Sequence, residues 1–247
     1  MVSPAEVIWH DLECGLYRED LPLWREIADD VAGGAPILEI GAGTGRVCLD
    51  LARHGHQLTA LERDPVLLAE LTERAAGLAV SAVGGDARDF RLTRSDFALC
   101  LVPMQTVQLM GGSGGRLAFL RAARAHLRPK GVLACALVEH IEPFDISAEA
   151  IEPEPERALH EGVLFTSRPT CVSVEEHLIR IEIERRVHPD GDERSFEPPL
   201  LERIALDQLS AARLQQEAAR AGFRPLGVRT IAPTELYTGS VVVILGG

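Results

Sequence analysis

Lysine and aromatic residues are scarce in this chain of 247 residues. One lysine occurs, Lys130, and Phe, Trp and Tyr together make up 4% of the sequence. The core must therefore be aliphatic, built from Leu, Val, Ile and Ala. The formal net charge is −12, and no basic cluster is longer than Arg185-Arg186. Because nucleic-acid backbones attract basic surfaces, we expect no nucleic-acid partner.

Signals for metal sites, disulfides, export and membrane insertion are also missing. The five cysteines form no CxxC pair, and the histidines and acids lack HExxH-like spacing. We therefore expect reduced thiols and no metal. The first residues lack the basic segment and apolar stretch of a signal peptide. No apolar run approaches the ~20 residues that span a bilayer. These absences predict a cytoplasmic protein with no membrane partner.

Short apolar runs alternate with helical segments through the first part of the chain. Hydrophobic residues make up 46% and charged residues 25%, an ordinary globular composition for one large domain. The predicted strands are Pro36–Ile40, Gln57–Leu61, Leu78–Val83, Phe97–Val102 and Val132–Val138. The predicted helices are residues 5–32 with a break near Pro22, Thr44–Arg53, Pro65–Ala75 and Arg116–Leu127. This α/β alternation predicts a doubly wound, mostly parallel, Rossmann-like sheet.

The chain changes character after the fifth predicted strand. Residues 142–162 are acidic and contain three prolines, which predicts a loop. Strands are then predicted over Val163–Val172, Glu176–Val187 and Leu200–Leu206. In the second of these runs charged and apolar residues alternate, which indicates an antiparallel sheet laid over one end of the main sheet. A helix over Ser210–Ala221 and an antiparallel edge pair, Arg224–Ile231 and Ser240–Leu245, complete the chain.

A glycine-rich bend follows the first predicted strand in the sequence ILEIGAGTGR, residues 37–46. Gly41, Gly43 and Gly45 permit positive φ and let a ligand approach the backbone. Open α/β sheets bind ligands at the carboxyl ends of their strands, where this bend lies. Dinucleotide-binding proteins prefer GxGxxG, whereas the spacing here is GxGxG with arginine at position 46.

Further polar positions follow the next strands in order. Glu62 ends the second strand, where an acid can accept hydrogen bonds from both ribose hydroxyls, as in NAD enzymes too. Asp86 and Ala87 follow the third strand. Leu101 and Val102 end the fourth strand, and HLRPKGVL, residues 126–133, leads into the fifth.

This ordered set resembles the class I S-adenosylmethionine-dependent methyltransferases over residues 36–138. The resemblance implies that S-adenosylmethionine binds at the glycine loop and leaves as S-adenosylhomocysteine. In the family, an acid at the position of Asp86 contacts the adenine amino group, and Lys130 stands where an LxPGG turn has its first glycine. Arg46 either approaches the methionine carboxylate or is an exposed charge. The residues assigned to the cofactor are Tyr17, Glu39, Gly41, Ala42, Gly43, Gly45, Arg46, Glu62, Arg63, Asp86, Ala87, Leu101 and Val102.

The antiparallel layer resembles the lid of small-molecule N- and O-methyltransferases, aminosugar N-methyltransferases included. We therefore predict a single methyltransferase domain with four segments. They are a helical cap (1–35), a cofactor-binding core (36–141), an acidic loop with the antiparallel lid (142–206), and a C-terminal helix with the final strand pair (207–247). A homodimer is an open alternative, since the sequence does not fix the oligomeric state.

Catalytic candidates are few, because methyl transfer from a sulfonium needs a base only when the acceptor must lose a proton. His140 and Glu139 directly follow the fifth strand, and an imidazole titrates near neutral pH. A loop histidine with no role is the alternative for His140. Other candidates for proton removal, or for lining the acceptor pocket, are His10, Asp11, Tyr17, Met104, Gln105, Gln108, Glu235 and Tyr237.

The predicted function is methyl transfer to an oxygen or nitrogen atom of a small molecule by in-line displacement. The alternatives are an NAD(P)-dependent oxidoreductase and a non-catalytic binding protein on the same fold. Residues 111–115 match GxSxG but lack the strand before the serine that a nucleophile elbow needs, which argues against a hydrolase. No Asn/Asp-Pro-Pro-aromatic sequence follows the fourth strand, which argues against a DNA amine methyltransferase.

Overall fold

The computed structural model describes residues 4–148, 153–193, 198–234 and 237–247. The chain divides into two compact units. The larger comprises Tyr17–Glu139 and Leu209–Gly247, and the smaller comprises the N-terminal segment through Leu16 together with His140–Gln208. The candidate Glu235 lies outside the described residues.

A seven-stranded sheet forms the centre of the larger unit. Numbered in chain order, its strands are β1 (Ile37–Ile40), β2 (Leu58–Glu62), β3 (Val80–Gly84), β4 (Phe97–Val102), β5 (Leu127–Leu137), β11 (Arg224–Ile231) and β12 (Ser240–Gly246). Their order is β11-β12-β5-β4-β1-β2-β3. Strands β1 to β5 pair in parallel, and β12 pairs antiparallel with β5 and with β11. The predicted doubly wound sheet and its antiparallel edge pair are confirmed.

Helices cover both faces of this sheet. They are α2 (Leu21–Ala32), α3 (Arg46–Arg53), α4 (Pro65–Arg74), α5 (Gly112–His126) and α6 (Ala211–Arg220), whereas α1 (Ala5–His10) belongs to the smaller unit. Alternate residues of β1 belong to different core clusters: Ile37 packs with Trp24 and Leu51, and Leu38 packs with Phe119. Strands β1 and β4 are buried on both faces, and their sequences are apolar apart from Glu39 of β1.

The predicted break in the N-terminal helix was placed at the wrong residue. Helix α1 ends at His10, a π-helical turn occupies Asp11–Gly15, and α2 begins at Leu21. Pro22 lies in the first turn of α2, where its missing N–H group costs no hydrogen bond. Pro22 therefore starts a helix rather than breaking one.

The glycine run at residues 111–115 is the start of α5 and not a flexible turn. The helix begins at Gly112, four residues earlier than predicted, after a 3-10 turn over Thr106–Leu109. A Cβ atom on Gly115 would overlap the carbonyl oxygen of Met110. This close backbone approach requires glycine, so the GxSxG match reflects packing and lacks the strand of a nucleophile elbow.

The first part of the fifth strand contains a lysine in a backbone conformation that favours glycine. Strand β5 begins at Leu127, five residues before the predicted start, and its pairing with β4 is irregular between Phe97 and Leu99. Lys130 lies in this irregular stretch with φ of 64°. A residue with a side chain in the left-handed region costs about 1–2 kcal/mol, so the backbone at Lys130 is strained.

The smaller unit contains an antiparallel sheet. Its strands are β6 (Phe144–Asp145), β7 (Glu156–His160), β8 (Val163–Val174), β9 (Leu178–His188) and β10 (Leu200–Asp207). The order is β10-β9-β8-β6, and β7 also pairs with β8. The predicted antiparallel strands are confirmed, but residues 142–162 are not a loop throughout. Their prolines lie before β6 and before β7, so the prolines do not interrupt either strand.

The N-terminal helix packs on this antiparallel sheet within the smaller unit. Trp9 meets Phe165 edge to face, with ring centroids 5.1 Å apart. The Glu13 carboxylate accepts two hydrogen bonds from Arg185, at 2.6 and 2.7 Å, and one from the Ser167 hydroxyl. Apolar and charged contacts thus join the first 16 residues to strands β8 and β9.

A buried ion pair joins α5 to α6 in the larger unit. The Arg116 guanidinium donates to both oxygens of Glu217, at 2.7 and 2.9 Å, and their side chains are 3% and 6% exposed. Arg213, 59% exposed, contacts the same carboxylate from the next helical turn at 3.3 Å. Burial raises the pKa of Glu217, but the hydrogen bonds and charges of Arg116 and Arg213 together outweigh burial, and the net shift of the pKa is downward.

Replacement of Lys130 by glycine should stabilise the protein. Relief of the left-handed strain outweighs the ~0.5–1 kcal/mol that glycine adds to the entropy of the unfolded chain, so we expect a gain of about 1 kcal/mol. Urea denaturation measures the change as a higher midpoint at constant slope. Lys130→Ala keeps a Cβ atom and should change stability by less than ~0.5 kcal/mol. Equal midpoints for the two variants would contradict the strain.

Replacement of Arg116 by alanine should destabilise the protein by about 3–5 kcal/mol, because it leaves the Glu217 carboxylate buried without its main partner. Arg213→Ala is the matched control, since it removes an exposed partner of the same carboxylate and should cost less than ~1 kcal/mol. Chemical denaturation of both variants gives the comparison. A cost for Arg116→Ala no larger than that for Arg213→Ala would show that the buried pair does not stabilise the fold.

Candidate functional site

The glycine loop leads from β1 into α3 along a left-handed backbone. Gly41, Gly43 and Gly45 have φ of 69°, 56° and 101°. A Cβ atom on Gly45 would lie 2.6 Å from a methyl carbon of Leu71, so the packing of α4 also requires glycine there. Ala42, between the first two glycines, is buried. The loop is thus fixed by its packing as well as by its backbone conformation.

Glu62 connects the glycine loop to the tip of β2. Its Oε2 atom accepts the N–H of Gly43 at 2.8 Å, and its Oε1 atom accepts the N–H groups of Arg63 and Asp64, both at 2.8 Å. Glu62 is buried, and the three backbone donors hold its carboxylate in one orientation. A carboxylate has about four lone-pair sites, so capacity for a ligand hydroxyl remains.

Glu39 is a buried acid at the end of β1, before the glycine loop. It is 2% exposed, and Oε2 has no hydrogen-bond partner among the described residues. Its hydrogen bonds come from the side chain and backbone of Cys48. Burial raises the pKa of Glu39 to about 8, against the opposing charge of Arg46. An unsatisfied buried acceptor of this kind requires an explanation, and a bound donor is the simplest one.

Arg46 is not an exposed charge at the start of α3. Its side chain is 6% exposed and donates to both oxygens of Asp20 and to the backbone oxygen of Tyr17. The guanidinium lies 5.2 Å from the centroid of the Tyr17 ring. Asp20 also accepts a hydrogen bond from the Trp24 indole at 2.8 Å. Arg46 therefore ties the residues before α2 to the glycine loop.

Tyr17 and Tyr237 form an aromatic pair beside Arg46. Their ring centroids are 5.0 Å apart and their planes are tilted by 59°. Burial and the nearby charge of Asp20 raise the pKa of Tyr17, although a hydrogen bond with Ser240 opposes this shift. The structure thus joins the predicted site residues Tyr17, Glu39 and Arg46 in one part of the larger unit.

Asp86 forms a bidentate ion pair with Arg88, and Ala87 lies between the two residues in the chain. Its oxygens accept hydrogen bonds from the Arg88 side chain at 2.9 and 2.6 Å and from the Arg88 N–H at 2.8 Å. These contacts lower the pKa of Asp86 to about 2. A ligand amino group that binds to Asp86 must share this carboxylate with Arg88.

Leu101 and Val102 lie at the end of β4, where their side chains are fully buried on opposite faces of the sheet. Only their backbone is placed for contact with a ligand at the strand end. Met104, two residues later, has φ of 53°, so the chain turns sharply there. The Gln108 amide pairs with the backbone N–H and oxygen of Val138, at 2.8 and 3.1 Å. Gln108 therefore supports the chain at the end of β5 through both polar atoms of its amide.

The two predicted catalytic residues belong to different units. Glu139 ends the first segment of the larger unit, and its carboxylate accepts the N–H of Ala211 at 2.7 Å, at the start of α6. His140 is the first residue of the second segment of the smaller unit and is exposed. A role in helix capping therefore accounts for Glu139.

Three residues that contact the predicted site were not among the predicted ones. Asp20 was missed although a buried arginine requires an acid, and an acid stands directly before α2. Cys48 was interpreted only as a core thiol, and Arg88 was not considered. Within the described ranges no group of three His, Cys, Asp or Glu side chains is arranged to hold a metal. No helix in the same ranges is long and apolar enough to span a membrane.

Comparison with known proteins agrees with this geometry. Residues 37–131 match a family model described as a methyltransferase domain. A probable cobalt-precorrin-6B C(15)-methyltransferase (decarboxylating) from Methanothermobacter thermautotrophicus is 30% identical over 147 residues, which cover 53% of this chain and 72% of that protein. A ribosomal RNA small subunit methyltransferase A from Deinococcus radiodurans is 44% identical, but only over 63 residues, 26% of this chain and 22% of that protein.

The fold is similar to that of solved structures along nearly the whole chain. A sugar N-methyltransferase from Streptoalloteichus superposes with a TM-score of 0.72 and 16% identity, covering 99% of this chain and 93% of its own. At this identity the likeness establishes the fold, and the family follows from the relative that is 30% identical. The chain belongs to the class I S-adenosylmethionine-dependent methyltransferases.

Proposed function

We propose that this enzyme transfers the methyl group of S-adenosylmethionine to a nitrogen or oxygen atom of a small molecule. The observation that carries the proposal is the extent of the likeness to the sugar N-methyltransferase, which covers 99% of this chain. That extent includes the antiparallel strands β6 to β10, which follow the cofactor-binding strands in the chain. The precorrin methyltransferase relative also acts on a small molecule, as its name states.

The residues of the larger unit fit S-adenosylmethionine. The unpartnered Oε2 atom of Glu39 is an acceptor for an ammonium group, and the Glu62 carboxylate keeps acceptor capacity for ribose hydroxyls. We assign the adenine end to Asp86 and Ala87, and the methionine end to Tyr17, Glu39 and Arg46. The glycine loop, Arg63 and the backbone of Leu101 and Val102 complete the assignment.

The chain's own contribution to the reaction is chiefly orientation. When bound, S-adenosylmethionine supplies an activated methyl group on a sulfonium. Holding an acceptor atom in line with that methyl group can lower the barrier by roughly 7–11 kcal/mol in favourable cases. The rigid support comes from the buried strand ends and from the three backbone donors on Glu62.

A general base is needed only for an acceptor that must lose a proton. Of the two predicted bases, Glu139 has its carboxylate engaged with the N–H of Ala211. We therefore propose His140 for proton removal, in preference to Glu139. Removal of a proton by His140 stays a prediction until a His140→Ala variant is assayed with a protonated acceptor.

A small molecule is a better acceptor than nucleic acid for this chain. The net charge of −12 opposes contact with a phosphate backbone. The match to the ribosomal RNA methyltransferase spans only 22% of that protein, so it does not cover most of that enzyme. We accordingly propose an acceptor without a polyanionic backbone.

The proposed function predicts turnover with small amines or hydroxyl compounds. Purified protein is incubated with S-adenosylmethionine and a panel of aminosugars, other amines, sugars and phenols, and a ribosomal RNA transcript is the comparison acceptor. Mass spectrometry detects S-adenosylhomocysteine and the methylated product. We expect product from a small molecule and none from the transcript. Methylation of the transcript alone would contradict the proposal.

Replacement of Glu62 by alanine should weaken cofactor binding by at least ~1.5 kcal/mol, the scale of a lost charged hydrogen bond. The variant also removes the acceptor that holds the Gly43 N–H, so the glycine loop loses its connection to β2. Calorimetry with S-adenosylhomocysteine measures the change. Glu73→Ala, at an exposed position of α4, is the control and should bind like the wild type. Unchanged affinity of Glu62→Ala would remove Glu62 from the site.

A further inference from the structure

Two buried carboxylates, Asp20 and Glu39, feel the charge of one guanidinium, Arg46, beside the glycine loop. Asp20 is 1% exposed and Glu39 is 2% exposed. Arg46 donates to both oxygens of Asp20, so Asp20 receives the bidentate pair of hydrogen bonds that the guanidinium can form. Glu39 is left with hydrogen bonds from Cys48 and with one oxygen that has no partner among the described residues. The cluster therefore has one more acid than base.

The groups that act on Glu39 come from several elements. Arg46 and Cys48 lie on α3, Asp20 precedes α2, and the Cys100 thiol lies on the neighbouring strand β4. Within the sheet, Glu39 pairs with Ala60 of β2 on one side and with Leu101 of β4 on the other, and both residues are apolar. In the described part of the chain, Arg46 is the cation with the strongest effect on Glu39, and Asp20 opposes that effect.

An unpaired carboxylate in such surroundings favours its neutral form, because burial removes the water that stabilises its charge. Burial raises the pKa of Glu39 to about 8, and Asp20 contributes to the increase. At neutral pH the carboxyl group thus holds its proton in the cofactor-free protein. An ammonium group placed at the vacant acceptor would reverse this preference.

Building on the cofactor site proposed above, we propose that S-adenosylmethionine binding is coupled to release of a proton from Glu39. The ammonium group of the cofactor pairs with the carboxylate, and the proton leaves to solvent. The two acids are then balanced by two cations, Arg46 and the cofactor ammonium. Glu39 thereby makes cofactor affinity depend on pH, with binding favoured as pH rises.

The sign of the pH dependence follows from proton linkage. Between the lowered pKa of the bound state and the pKa near 8 of the free state, each binding event releases about one proton. The dissociation constant for S-adenosylhomocysteine should therefore fall by up to about tenfold for each pH unit across this range. Above about pH 8 the dependence should level off.

Calorimetry measures the released proton directly. Binding of S-adenosylhomocysteine at about pH 7 is measured in phosphate and in Tris, whose ionisation enthalpies differ, and the dependence of the binding enthalpy on buffer gives the proton count. We expect about one proton released by the wild type and almost none by Glu39→Gln, which keeps the shape without the titration. Glu26→Gln is the matched control, because Glu26 pairs with Arg229 at an exposed position, and it should release as many protons as the wild type.

A ligand fragment tests whether the ammonium group drives the release. 5′-Methylthioadenosine keeps the nucleoside and the thioether but lacks the amino-acid end, so its binding to the wild type should release no proton. Proton release with this fragment equal to that with S-adenosylhomocysteine would overturn the assignment to Glu39 and the ammonium group.

A measurement without ligand keeps the test independent of binding. Because the folded state holds the Glu39 proton more tightly than the unfolded chain, this group lowers stability as pH rises from about 5 to about 8. The stability of Glu39→Gln relative to the wild type should therefore increase over that range and stay constant above it. A difference that does not change with pH would contradict the raised pKa.

The outcomes separate this inference from the proposed function. If S-adenosylhomocysteine binds without proton release at any pH between about 6 and 8, the coupling is wrong while the cofactor site stands. If neither S-adenosylhomocysteine nor 5′-methylthioadenosine binds, the cofactor site and the coupling both fail. Proton release by the wild type that Glu39→Gln abolishes supports both.

Discussion

The hydrogen bond from the Gly43 N–H to the Glu62 carboxylate is the contact on which the proposed cofactor site depends. It joins the loop after β1 to the tip of β2, two places where parallel strands end side by side. The same carboxylate accepts the N–H groups of the two residues that follow it, so its position is set by three backbone donors. A backbone that is fixed before the ligand arrives need not be ordered by binding, which lowers the entropic cost of association.

The larger unit contains two buried charge clusters that differ in their balance of acids and bases. The Arg116–Glu217 pair is balanced and buried, and it holds two helices together. The cluster of Asp20, Glu39 and Arg46 is buried as well, but it is not balanced, and the unsatisfied oxygen lies beside the glycine loop. A protein that excluded ligands would gain stability by removing such an acid, since a buried polar atom without a partner is costly. The imbalance therefore points to binding.

Most of the parallel sheet was predictable because its strands are short and mainly apolar, and β4, buried at every residue, is a continuous apolar run. The predictions failed where a residue type serves packing rather than local conformation. Gly115 looks like part of a flexible turn, yet it lies in helix α5, and glycine is required there because the Met110 carbonyl leaves no room for a Cβ atom. Glu39 and Arg46 were predicted as site residues from the loop motif, whereas Asp20 was not, since the contact between positions 20 and 46 leaves no pattern in the sequence.

Strand β5 pairs directly with β12, although β5 ends at Leu137 and β12 begins only at Ser240. Helices α5 and α6, which lie before and after residues 140–208 in the chain, are likewise joined directly, by the ion pair of Arg116 and Glu217. Among the described residues of the segment 140–208, no strand belongs to the sheet of the larger unit. A substitution in the described part of that segment therefore leaves the strand pairing of the larger unit in place, and the family match also ends before the segment, at residue 131.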